Sequence, residues 1–172
     1  MIWVIAALSI LLGPLVFAFL TGMMMARSRQ TTRSIWLKAS RKSVWGVLTN
    51  FASQADWRRE IKHIERVERG GEVLWREHLH FGPPLTLLAV ELERFHKLER
   101  KIVDSNLPFQ GSWLYELSDE KSGTRVRVTE SIEVSNPALR FLNRLNGSQS
   151  KSLKLLLESI ARRFKDSPRI EV

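Results

Sequence analysis

At 172 residues the chain is long enough for one domain and an added element, and a hydrophobic content of 44% supports a real core. It has no cysteine, which excludes a disulfide framework, a thiolate metal site and a cysteine nucleophile. Lysine and arginine outnumber aspartate and glutamate 27 to 18, and the net charge of +9 favours an anionic partner.

The run IWVIAALSILLGPLVFAFLTGMMM, from Ile2 to Met25, contains no ionisable side chain. A helix of roughly 20 apolar residues spans the hydrocarbon core of a bilayer, so residues 1–26 read as a transmembrane anchor. A cleaved secretion signal has a basic start and a shorter apolar core; here nothing basic precedes Ile2. Arg27, Arg29 and Arg33 follow the run, and positive residues stay on the cytoplasmic side. The expectation is a single-pass membrane protein with a cytoplasmic domain, joined through a juxtamembrane linker at residues 27–31.

Residues 32–38 alternate as a first strand, with Ile35 and Leu37 facing in. Ser40 is placed to cap a short amphipathic helix carrying Val44, Val47, Leu48 and Phe51 at helical spacing. A second helical turn follows, with Trp57 packing inward. Six more strands are expected at 61–69, 72–81, 84–95, 98–104, 111–118 and 123–134, separated by RGGE, FGPP, the Pro108 region and SDEKSG. Short turns between successive strands make an antiparallel meander. Asn136 and Pro137 then open one long helix, the residue types favoured at those positions. Leu142, Leu145, Leu153, Leu156, Leu157, Ile160 and Phe164 share its apolar side, and Gly147-Ser148 is a place for a bend.

The order strand, two short helices, six strands and a long helix predicts an α+β fold, a curved seven-stranded antiparallel sheet wrapped around the C-terminal helix. The segments ASRKSVWGVLTNFA, GEVLWREHLHFG, GSWLYEL, GTRVRVTE and NPALRF occur in the order seen in the START/polyketide-cyclase-like (SRPBCC) superfamily. The chain resembles that superfamily from about Thr32 to Phe164, which places the domain at residues 32–165 and leaves 166–172 as a tail. The resemblance implies a helix-grip fold with an internal cavity between sheet and helix, used by relatives for lipids, sterols, hormones or aromatic polyketides.

The expected cavity residues are Trp57, Trp75, Glu77, Val90, Trp113, Tyr115, Val128 and Glu130. Two stand out, because Glu77 and Glu130 fall on the apolar sides of alternating strands. Such carboxyls are either paired with a base, wet, or tuned for acid–base work. Joining Leu117 to Thr124 across SDEKSG sets Tyr115 opposite Val126, Trp113 opposite Val128 and Glu130 opposite Gly111, where a glycine leaves a hollow. Joining Trp75 to Val90 across FGPP gives His78 and His80 only leucine neighbours, so no metal site and no cofactor are expected.

Arg140, Arg144, Lys151, Lys154, Arg162 and Lys165 form a basic stripe on the last helix. With Arg27, Arg29 and Arg33 it reads as a surface for anionic lipid. The tryptophans are not interleaved with the basic residues, which argues against nucleic acid. The sequence thus points to a binding or transfer protein for a lipid or isoprenoid-like ligand. A cyclase or hydrolase using a cavity carboxylate, and an interaction module without ligand, are the alternatives.

Overall fold

The computed structural model describes residues 2–146 and 148–171, and the side chains of residues 12–145 and 151–171. Helix α1 (Ile2–Met23) leads into strand β1 (Ser28–Leu37). Helix α2 (Arg41–Thr49) and a 3-10 turn (Phe51–Asp56) follow. Next come β2 (Ile61–Arg69), β3 (Glu72–Leu79), β4 (Leu85–Glu93), β5 (Lys97–Ile102), β6 (Phe109–Glu120) and β7 (Gly123–Val134). Helices α3 (Pro137–Asn146) and α4 (Ser148–Arg163) and a short strand β8 (Ile170–Glu171) complete the chain.

The strands form one antiparallel sheet in the order β2-β3-β4-β5-β6-β7-β1-β8. It has eight strands, one more than expected, because the tail returns to pair Ile170 with Ile35 and Glu171 with Ser34. β1 starts at Ser28, so four of the five residues read as a linker are strand, paired with β7 from Glu133 onward. Alternation places Ile35 and Leu37 inside, and both are fully buried. Ser40 caps α2 as expected, its hydroxyl accepting from the Ser43 amide.

The C-terminal helix is two helices with different tasks. Leu153, Leu156, Leu157 and Ile160 of α4 are buried against Ile35, Val126 and Val128, which is the core the sheet grips. Leu142 and Leu145 do not continue that face; they are exposed on α3. α3 instead packs on α1, where Phe17 meets Phe141 edge to face with ring centroids 5.8 Å apart. Ala18 and Gly22 are the small residues that permit this approach, four apart on one side of α1. A β-carbon added to Gly22 would lie 1.8 Å from the Pro137 carbonyl oxygen. Gly22→Val is therefore expected to prise α1 from α3 and destabilise that contact by about 1–3 kcal/mol. Faster amide exchange confined to α1 and α3 would register it, and unchanged exchange there would refute the packing.

Among the described residues no helix is long and apolar enough to cross a membrane. That overturns the expected transmembrane anchor, and with it the cytoplasmic placement of the domain and the membrane tether. What the structure shows for this segment is a helix with one face committed to α3.

Candidate functional site

The inner face of the sheet holds two separate polar sites. The first centres on Glu77, which is 2% exposed. Arg100 Nη2 donates to Glu77 Oε1 at 2.5 Å and Arg58 Nη1 to the same oxygen at 3.0 Å. Gln54 Oε1 takes further bonds from both arginines, at 3.3 and 3.0 Å. Burial alone would raise the Glu77 carboxyl, but Arg100 and Arg58 outweigh it and hold it below the usual carboxylate range. Glu60 adds a second ion pair to Arg58 at 2.7 Å. This is a structural ion network that keeps Glu77 ionised, although Arg100 Nε has no hydrogen-bond partner among the described residues.

The second site is a cavity of about 660 Å³ at the end of the sheet where β1 begins and β7 ends. Phe109, Trp113, Ile132, Val134 and Leu85 give it apolar walls, and Arg27, Arg29, Arg140 and Arg144 line it as well. Glu130, 2% exposed, is its carboxyl. Trp113 sits directly opposite Glu130 across β6 and β7, and its Nε1 donates to Glu130 Oε1 at 2.9 Å. Burial pushes the Glu130 carboxyl up to about 7, against the pull of hydrogen bonds from Trp113 and Ser152.

This register corrects the expected one by two residues. The hairpin closes tightly, with Glu120 paired to Gly123, so Leu117 faces Val126 and Tyr115 faces Val128. Lys121 takes a positive φ of 55° in the turn, a conformation that the turn composition did not advertise. Gly111 lies opposite Ile132 and makes room for that side chain; a β-carbon there would come within 2.6 Å of Ile132 Cδ1.

Of the eight expected cavity residues, Trp113 and Glu130 line the cavity. Tyr115 and Val128 are buried in the main core, with Trp57 and Trp75 packed against it. Glu77 belongs to the ion network. Val90 is corrected more fundamentally. Trp75 pairs with Leu87 rather than Val90, so Leu85, Leu87 and Ala89 share Trp75's face and Val90 lies on the other, opposite Glu99.

The expected lipid-facing stripe also divides. Arg140 turns inward, is 9% exposed, and donates to the Met25 carbonyl at 2.8 Å. Arg27, Arg29 and Arg144 join it around the cavity. Arg33 sits on β1 opposite Val128, half-buried on the inner face. Lys154 and Arg162 both reach Glu158, while Lys151 and Lys165 are exposed.

On the outer face, the pairing of β2 with β3 sets His63 opposite His78, past an irregularity between Ile61 and His63. The two rings stack with centroids 3.9 Å apart, and both Nε2 atoms approach Glu65 Oε1, at 3.1 and 3.2 Å. The expectation that His78 has no third ligand nearby is thus corrected. His63, Glu65 and His78 are the described residues that could hold a zinc-type cation. The period-two pattern could not show it, since the bulge decides the pairing.

A curved antiparallel sheet closed around α4, with a cavity at one end, defines a START-like helix-grip protein. The chain belongs to the family described as polyketide cyclase/dehydrase and lipid transport, whose profile matches residues 28–165. No curated protein matches the sequence. Solved structures share the fold at low identity. A START superfamily protein from Mycobacterium smegmatis is 14% identical with a TM-score of 0.64, covering 79% of this chain and 97% of that one. The Zhui aromatase/cyclase from Streptomyces sp. R1128 is 15% identical at 0.65, covering 80% and 94%. Norcoclaurine synthase from Thalictrum flavum is 12% identical at 0.60, covering 80% and 94%.

Proposed function

We propose that the protein binds a hydrophobic small molecule, lipid or isoprenoid-like, in the cavity around Glu130, and carries or presents it. The carrying observation is a cavity of about 660 Å³ with apolar walls and one buried carboxyl. That volume falls within the range of about 300–1,000 Å³ usual for small-molecule sites, and apolar lining with a few polar groups is their usual composition. The family description, which includes lipid transport, supports the same reading.

A second reading, an enzyme of cyclase or hydrolase type, is favoured by one observation. A carboxyl raised to about 7 can hold or deliver a proton near neutrality. Only Glu130 can take that role, since Glu77 is locked in its ion pairs.

The neutral fluorophore N-phenyl-1-naphthylamine tests the binding reading. Wild-type protein is expected to bind it saturably, and Ile132→Trp, which fills the cavity, to weaken binding at least about tenfold. Equal affinity in both proteins would place the probe elsewhere and overturn the proposal. Turnover of a bound ligand that disappears in Glu130→Gln while binding persists would decide for the enzyme.

A further inference from the structure

Where this fold buries a guanidinium in its core, it supplies a carboxylate: Arg100 and Arg58 converge on Glu77. The cavity departs from that pattern. Four arginines line it against a single carboxyl, Glu130. Arg140 is buried there, yet its acceptors are carbonyls, Met25 O at 2.8 Å and Ser135 O at 3.5 Å. Its Nε has no hydrogen-bond partner among the described residues. Among those residues Arg27, Arg140 and Arg144 make no ion pair with any carboxylate. Carbonyls satisfy hydrogen bonds but leave the positive charge uncompensated, and an uncompensated buried charge is costly. The bond to Met25 O, just beyond α1, accounts for one nitrogen of Arg140. It gives no reason for Arg27 and Arg144 to gather at the same cavity.

We infer that the cavity takes an anionic amphiphile, whose carboxylate or phosphate is held by Arg140, Arg144 and Arg27 while its hydrocarbon body lies along Phe109, Trp113 and Ile132. The inference rests on the binding reading above and adds the ligand's charge. Guanidinium groups suit this role because their planar donors meet two oxygens of a carboxylate or phosphate at once. Apolar walls beyond the arginines exclude a small hydrophilic anion as the natural occupant, since it would leave those walls facing water. Glu130, with Trp113 on one oxygen, offers a hydrogen-bonding point along the ligand's body.

The experiment displaces bound N-phenyl-1-naphthylamine with three single-chain ligands of matched length: oleate, oleoyl lysophosphatidate and methyl oleate. The acids are expected to bind at least about tenfold more tightly than the ester, the scale of one charge-assisted contact. Preference for oleate identifies a carboxylate head, and preference for lysophosphatidate a phosphate. Arg144→Gln and Arg27→Gln, at exposed positions outside the core, are expected to remove the preference for the acids over methyl oleate. Arg144→Lys should retain part of it. Equal affinity for acid and ester, or acid affinity unchanged in both glutamine variants, overturns the anion inference and leaves the apolar cavity standing. Failure of the naphthylamine itself to bind overturns both.

Discussion

Replacing Glu77 with leucine is expected to lower the free energy of unfolding by about 3–5 kcal/mol, the cost of stranding buried charge. Arg100, 2% exposed, and Arg58 both use Glu77 Oε1 as their acceptor. Removing that carboxylate therefore strands buried positive charge. Glu60 still serves Arg58, which makes Arg100 the principal casualty. Urea denaturation at neutral pH measures the loss; a change below about 1 kcal/mol would show that water or rearrangement compensates the network. The acid side supplies an independent check. Glu77 is depressed on folding from 4.5. Its contribution is therefore present above 4.5 and is lost as pH falls through the lower folded value. Wild type and Glu77→Leu should converge in stability under acid.

Glu130 should behave in the opposite sense. Its carboxyl rises on folding from 4.5 to about 7 because burial disfavours the charge. The stability it contributes is complete below 4.5 and disappears as pH climbs through about 7. Such a shift amounts to up to about 3 kcal/mol. The charged groups around it are Arg27, Arg29, Arg140 and Arg144 in the cavity and Arg33 on the same face of β1. Glu130→Gln should therefore flatten the stability profile, and the variant should gain on wild type from about pH 5 to about pH 8. Parallel profiles for the two proteins would show that Glu130 is hydrated in the folded state.

Much of this was legible in the chain. The alternation in GTRVRVTESIEV places Glu130 among inward-facing residues, and the structure buries it between Val128 and Ile132 on β7. Order and type of nearly every element follow from periodicity and turn residues. Register was less legible, because it depends on turns whose geometry composition only hints at. Lys121 at positive φ tightens one hairpin, and a bulge shifts another. The partners of Glu77 were hidden for a different reason. Arg58 and Arg100 look like any surface arginines in sequence, and only the folded sheet brings them to one carboxylate, 19 and 23 residues away. The arginine-lined cavity was misread as an outer surface because a helical wheel shows direction but not what lies there. Arg140 and Arg144 were grouped with Lys151 and Lys154, yet the first two sit on α3 beside the cavity and the others on α4. The apolar N-terminal run misled for a similar reason, since hydropathy does not distinguish a face turned to lipid from one turned to α3.

The strand order has a bearing on how copies of the chain meet. A sheet ends in rows of backbone groups able to recruit another strand. Here one end is β2, whose sequence IKHIERVER sets charges along most of its length. At the other end β8 covers Ser34 and Ile35 of β1, held by the ion pair of Glu171 with Arg125. The part of β1 that precedes this pairing reads SRQTTR, polar throughout. Neither border offers the flat apolar strand that templates intermolecular pairing. The borders of this sheet are therefore poor templates for a continuous sheet shared between copies of the folded chain.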